Sequence, residues 1–148
     1  MGKKTGDFSA CKNSADQFFR VAKWCEDRDI VEFLNETMYP YAVNISFACE
    51  LYLKAIMIKR SPANEFEQGH NLLSLFNCLT ASDRTILETE FSQKDSNKTL
   101  TDFLDENKDT FISWRYALEN VVQVDTTGFA AFAEVLNKFV DDLEKGKH

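Results

Sequence analysis

Two acid–base pairs at helical spacing carry most of the chemistry this sequence can offer. Glu50 and Lys54 stand four apart, carboxylate first, within PYAVNISFACELYLKAIMIKR. That order and spacing bring the two together on one face of a helix. Arg115 and Glu119 repeat the spacing in WRYALEN, beside the apolar stripe of Phe111, Trp114 and Leu118. A charge in so apolar a helix needs a partner, because desolvating it alone costs on the order of several kcal/mol. The plainer alternative to a functional cleft is a satisfied structural ion pair, since structural networks also perturb titratable groups. If the two segments pack together, Glu50 can meet Arg115 and Lys54 can face Glu119, with Tyr116 alongside, in one neutral polar cluster.

His70 is the single internal histidine and follows Gly69 at the start of a helical pattern. It is the natural acid or base near neutral pH, although a lone histidine there is also an ordinary loop or capping residue. His148 is terminal. One internal histidine leaves no multi-histidine metal site, and Cys11, Cys25, Cys49 and Cys78 form no CxxC pair, so they read as free and mostly buried thiols. No metal and no cofactor is expected. A Gly-rich phosphate loop, a G-x-S-x-G elbow and an H-E-x-x-H helix are all missing from the sequence. Tyr39, Tyr41, Tyr52 and Tyr116 have faces that can stack on bases, but aromatics at helical spacing more often belong to a core or an interface.

The elements that position these residues follow from composition. Thirteen Phe against five Gly and two Pro, with 44% apolar residues in 148, predict few tight turns and one helical domain spanning 1–148. The expected fold is all-α, an antiparallel bundle of four or five main helices with short extra ones. A net charge of -7 opposes broad nonspecific binding to nucleic acid without excluding a local basic groove. The N-terminal MGKKTGDFSACKNS lacks the apolar run of a secretory signal, so a cytoplasmic protein is expected. Tyr39–Ile58 tempts a membrane reading, but Asn44, Ser46, Glu50 and Lys54 make spanning costly, and it reads as the central helix of a bundle.

Along the chain, Ser14 is a plausible cap for a first helix with Ala15, Phe18, Ala22 and Cys25 on one face, and EDRD bends or interrupts it. Pro40 fits the first turn of the second helix. SPANEFEQG reads as an acidic connecting loop, and Ser82 as the cap of a helix through Ile86, Leu87 and Phe91. SQKDSNKT is the candidate mobile loop. Leu100, Phe103, Leu104, Phe111, Trp114, Leu118 and Val121 then follow helical spacing. An amphipathic last helix carries Phe129, Phe132, Leu136, Phe139, Val140 and Leu143, with EKGKH fraying.

Taken together, FFRVAKW, PYAVNISFACELYLKAIMIKR with its E-x-x-x-K pattern, GHNLLSLFNCL and ISWRYALEN resemble the HEPN family, the helical "higher eukaryotes and prokaryotes nucleotide-binding" domains. The likeness spans most of the chain, and the second-helix pattern is its most specific part. The resemblance implies an antiparallel helical bundle, often a homodimer, in toxin-antitoxin, defence or RNA-processing settings. Its implied partners are RNA or a nucleotide, and a cognate nucleotidyltransferase or antitoxin protein. Many relatives are metal-independent ribonucleases marked by Arg, four to six residues, then His. Arg115 matches the first half, but Asn120, Val121 and Val122 occupy the positions of the second. Asn has no titratable proton at neutral pH and cannot act as a general base. The leading expectation is therefore a binding or regulatory domain using Glu50, Lys54, Arg115, Tyr116 and Glu119. The alternatives are a ribonuclease pairing Arg115 with His70 or Asn120 in an unorthodox role, and a noncatalytic helical adaptor.

Overall fold

A computed structural model describes residues 2–108 and 125–148. Within them the protein is an all-α bundle with one two-stranded ribbon. The long helices are α1 (Phe8–Glu26), α3 (Met38–Arg60), α5 (Ala81–Lys94) and α7 (Thr126–Glu144). Shorter pieces are α2 (Ile30–Glu32), α4 (Leu72–Asn77) and α6 (Leu100–Asn107), with strands β1 (Lys3–Thr5) and β2 (Glu65–Glu67).

α3 is the axis of the fold. Every residue from Leu53 to Ile58 is buried, so the helix is enclosed on all sides rather than along one stripe. Ile30–Arg60 is long and apolar enough to cross a membrane by length and composition, yet 78% of its most apolar window is buried against the rest of the protein. α1 packs antiparallel on α3, as the pairs Cys11 with Leu51 and Thr37 with Cys25 show. α7 runs in the same direction as α3, because Tyr41 meets Thr126 and Tyr52 meets Asn137 at one constant offset. α5 returns antiparallel to α7 through Lys94–Glu134 and Lys138–Glu90.

Local chemistry explains the boundaries. Pro40 does lie in the first turn of α3, where it has no N–H for the Glu36 carbonyl. The chain immediately before it, Phe33–Thr37, widens into a π turn that makes room for the ring. Thr37 Oγ1 then donates to the Cys25 carbonyl at 2.6 Å, closing the hairpin tip over the end of α1.

Several sequence expectations need correction. α1 is capped by Asp7, which accepts from Ala10 N at 2.7 Å, and Ser14 lies inside the helix. Thr80, not Ser82, caps α5 by accepting from Asp83 N at 3.1 Å. Both caps stand ahead of the apolar repeats read from Ala15 and Ile86, so the pattern alone sets the start too late. The acidic loop contains β2, which pairs antiparallel with β1, Lys3 opposite Glu67 and Thr5 opposite Glu65. SQKDSNKT is not a free loop: Ser92–Lys94 complete α5, and Lys98 bridges Glu106 and Asp125, both at 2.8 Å. Donating to Asp125 and Glu106 holds the Lys98 ammonium above its ordinary range. His148 is not a frayed end, since its ring stacks on Phe139 at 4.4 Å and its carbonyl accepts from Arg60.

Phe91, Phe103, Phe129 and Phe132 form an aromatic knot where α5, α6 and α7 converge. Gly128 lets it close, because a Cβ there would sit 2.5 Å from the Phe103 ring and 2.7 Å from Asp125 Oδ2. Overpacking a core of fixed rings costs about 1–3 kcal/mol. Gly128→Ala is therefore expected to lower the unfolding free energy by that much, read as a lower urea midpoint at an unchanged slope, and an unaltered midpoint would show that the ring can move aside.

Candidate functional site

Glu50 is the centre of the candidate site. It projects from mid-α3 and is 2% exposed, a position that forces its charge to be met by the protein. Two partners meet it. Lys54, one turn later and 8% exposed, donates to Oε2 at 3.0 Å. His70, in the segment joining β2 to α4, brings Nδ1 within 2.9 Å of Oε1. The carboxylate thus uses both oxygens, one on each neighbour.

Each wall of this cluster comes from a different element. Phe66 of β2 lies over the Lys54 ammonium, 5.6 Å from ring centroid to Nζ, adding a cation–π contact on the strand side. Cys11 of α1 donates its thiol to the Leu51 carbonyl at 3.2 Å. Burial pushes that thiol up to about 11, with Lys54 opposing the rise and Glu50 adding to it. A thiol so placed is protonated at neutral pH and is not a nucleophile. Asn71 caps α4 by accepting from Ser74 N at 3.0 Å, so the capping role falls to the residue after His70 and leaves the imidazole to Glu50.

The arrangement has a definite chemical content. An ionised carboxylate only accepts, so a neutral His70 facing Glu50 carries its proton on Nδ1. The His70 side chain is 44% exposed, whereas Glu50 and Lys54 are sealed. Charge reaches solvent here through the imidazole alone among these three groups. With Lys54 neutralising Glu50, the trio is uncharged when His70 is neutral and gains one positive charge when it is protonated.

Arg115, Tyr116, Glu119 and Asn120, together with Trp114, lie outside the described residues. The expected meetings of Glu50 with Arg115 and of Lys54 with Glu119 fall there too. Lys108, the last residue before that stretch, accepts from the Leu72 N–H at 3.1 Å, two residues after His70. Tyr41 and Tyr52 are buried in the core and are not base-stacking platforms. Among the described residues no group of three or more metal-ligating side chains converges.

A second polar cluster was not foreseen from the sequence. Tyr52 Oη donates to Asp16 Oδ1 at 2.5 Å, and Asn137 Nδ2 donates to both, at 2.9 Å to Tyr52 and 3.2 Å to Asp16. Lys12 bridges Asp16 and Asp141, both at 2.9 Å. Burial raises the Tyr52 hydroxyl, and Asp16 raises it further. The cluster stitches α1, α3 and α7 together. Its one sequence signal is the Lys12–Asp16 spacing, which is too common to single out.

Removing one partner from a buried pair leaves an uncompensated charge, typically at a cost of about 3–5 kcal/mol. Glu50→Gln and Lys54→Met should each destabilise the protein by that order, while Glu50→Met/Lys54→Met costs less than their sum. Simple additivity in denaturant titrations would mean that the pair is not coupled. Long-range nitrogen–proton spectra should show neutral His70 as the Nδ1–H tautomer in the wild type and a tautomer mixture in Glu50→Gln. Compared with models of known protein families, with curated proteins and with solved structures, the chain matches none of them.

Proposed function

We propose that the chain is a HEPN-like regulatory domain of a toxin-antitoxin or defence kind, and that it binds RNA or a nucleotide at the Glu50–Lys54–His70 cluster. The observation that carries this reading is the 2.9 Å contact between buried Glu50 and half-exposed His70. A histidine held by a sealed carboxylate is a preset hydrogen-bonding group for a phosphate or a base edge. The resemblance adds Arg115 as the second phosphate-binding group. Since Lys54 is held by Glu50, its charge is not offered to the ligand, and binding at this cluster is hydrogen-bonded more than electrostatic.

Fluorescence anisotropy with labelled single-stranded RNA, and equilibrium titration with nucleoside triphosphates, test this reading. His70→Ala and Arg115→Ala should each weaken binding by about tenfold or more, the scale of losing a charge-assisted hydrogen bond. The affinity should fall shallowly with salt, because the slope counts phosphates neutralised by Lys and Arg. Absence of affinity for either ligand, with a stable complex of another protein instead, would make the chain an adaptor and sink the proposal.

One observation favours a second reading, a metal-independent ribonuclease: Glu50 holds His70 as a carboxylate holds a catalytic imidazole. In that reaction the His70 imidazole takes the 2′-hydroxyl proton as the 2′-oxygen bonds to phosphorus. The 5′-oxygen leaves and collects a proton, and the products are a 2′,3′-cyclic phosphate and a 5′-hydroxyl. Arg115 stabilises the phosphate charge. Cleavage in the presence of a chelator, lost in both His70→Ala and Arg115→Ala with the fold intact, selects the enzyme. Binding without cleavage selects the regulatory domain.

A further inference from the structure

The ribbon, the end of α3 and the corner between α4 and α5 enclose a cleft of about 370 Å³. Small-molecule sites usually fall between about 300 and 1,000 Å³. Part of the lining is apolar: Met57 of α3 and Leu79 of the corner, both buried, and half-buried Phe66 of β2. Ser61, Pro62 and Thr80 add uncharged surface. Phe66 also lies over the Lys54 ammonium, so the cleft adjoins the Glu50 cluster while Glu50, Lys54 and His70 stay outside its lining.

The charged side chains of the cleft are Lys3, Arg60, Glu65, Glu67 and Asp83, and they do not cancel. Arg60 donates Nε and Nη2 to the two oxygens of Asp83 at 2.9 and 2.7 Å, and Nη1 to the His148 carbonyl at 3.0 Å. Asp83 is 1% exposed, so this pair belongs to the packing and adds no net charge. Lys3 stands directly opposite Glu67 across the ladder, at the separation where cross-strand charges offset one another. Both reach toward Cys78 on the corner. Burial raises that thiol, Glu67 adds to the rise and Lys3 opposes it. Glu65 is the exception, because the residue opposite it is Thr5. Its carboxylate is half-buried, yet among the described residues it makes no ion pair and no side-chain hydrogen bond. Elsewhere the protein pairs its enclosed acids, Asp16 with Lys12, Asp125 with Lys98 and Glu50 with Lys54.

We propose that this cleft binds a small organic cation, a primary aliphatic amine whose ammonium meets Glu65 and whose hydrocarbon chain lies on Met57, Leu79 and Phe66. One uncompensated carboxylate calls for a single positive charge, and the apolar lining calls for a body that gains by leaving water. A hydrated inorganic cation wants several oxygen ligands and gains nothing from such a lining. An anion would meet Glu65 and Glu67 and find all three Arg60 nitrogens already engaged. The net charge of -7 draws cations toward the molecule. This inference is independent of the ligand assigned to the Glu50 cluster.

Titration of the full chain with n-hexylamine, followed in proton–nitrogen correlation spectra, tests it, with hexanoate and hexanol as matched controls. Saturable shifts should centre on β2 and the α4–α5 corner. Hexylamine should bind at least about tenfold more tightly than either control, the scale of a charge-assisted hydrogen bond. From butylamine to hexylamine the affinity should rise about three- to fourfold per methylene. Glu65→Gln should remove the preference for the amine, and Glu65→Lys should turn it toward hexanoate, circular dichroism confirming that each variant is folded. A further reading needs no variant: Cys78 is the exposed one of the four thiols, and hexylamine, but not hexanoate, should slow its reaction with dithiodipyridine. Absence of saturable binding, equal binding of amine, acid and alcohol, equal protection of Cys78 by amine and acid, or a folded Glu65→Gln that binds like the wild type would each overturn the proposal.

Discussion

The fold is organised around one ion pair almost wholly withdrawn from water. α3 has almost no polar face, so the two charges in its middle have no route to solvent except through other elements. Glu50 and Lys54 cancel at 3.0 Å along the helix, yet a carboxylate has two oxygens and an ammonium three protons. The unmet capacity recruits neighbours: His70 closes on the free carboxylate oxygen, and Phe66 lies over the ammonium. The short ribbon and the start of α4 are therefore tied to a particular turn of α3. A core of Leu and Phe alone would tolerate sliding by a turn far better, because apolar contacts are not directional.

The same logic recurs at Tyr52, on another face of α3. Asp16, Tyr52 and Asn137 share hydrogen bonds across α1, α3 and α7, and Lys12 binds two carboxylates from different helices. These contacts fix which residues of α7 face α3 and in which direction the helix runs. Parallel neighbours cannot be joined by a tight turn, so the chain must travel back along the bundle between them. α5, antiparallel to α7, supplies one leg of that return. The aromatic knot around Phe103 then locks the return path onto α7, where Gly128 leaves room for the ring.

What the sequence disclosed follows from the range of the forces involved. Helix class, the enclosure of α3, Pro40 in its first turn, the Glu50–Lys54 pair and the apolar face of α7 are all set by neighbours within a few residues, and all were legible. The N-caps were misplaced because Asp7 and Thr80 sit outside the apolar repeat that advertises a helix. β1 and β2 went unseen, since each is three residues long and is specified only by the other. That His70 joins Lys54 on Glu50 went unseen for a similar reason. His70 is separated from it by a ribbon and two turns, and nothing in local spacing records that the chain doubles back there. Arg115, Tyr116, Glu119 and Asn120 lie outside the described residues, so the reading of the WRYALEN segment stands as a sequence reading.

Electrostatics narrows what the cluster can be used for. In a protein with seven excess negative charges, a phosphate-binding site ordinarily announces itself by unpaired Lys or Arg side chains. Lys54 does not qualify, because Glu50 takes its charge and burial removes it from any ligand's reach. The group that Glu50 instead delivers toward solvent is an imidazole, whose nitrogens can donate or accept according to protonation. On the proposed reading, a ligand there would be read through directional hydrogen bonds, with the buried pair behind the ring holding it still. Losing Lys54 would then act at one remove, by leaving Glu50 unbalanced and His70 without a fixed orientation, whereas losing His70 would remove the contact itself and leave the core pair intact.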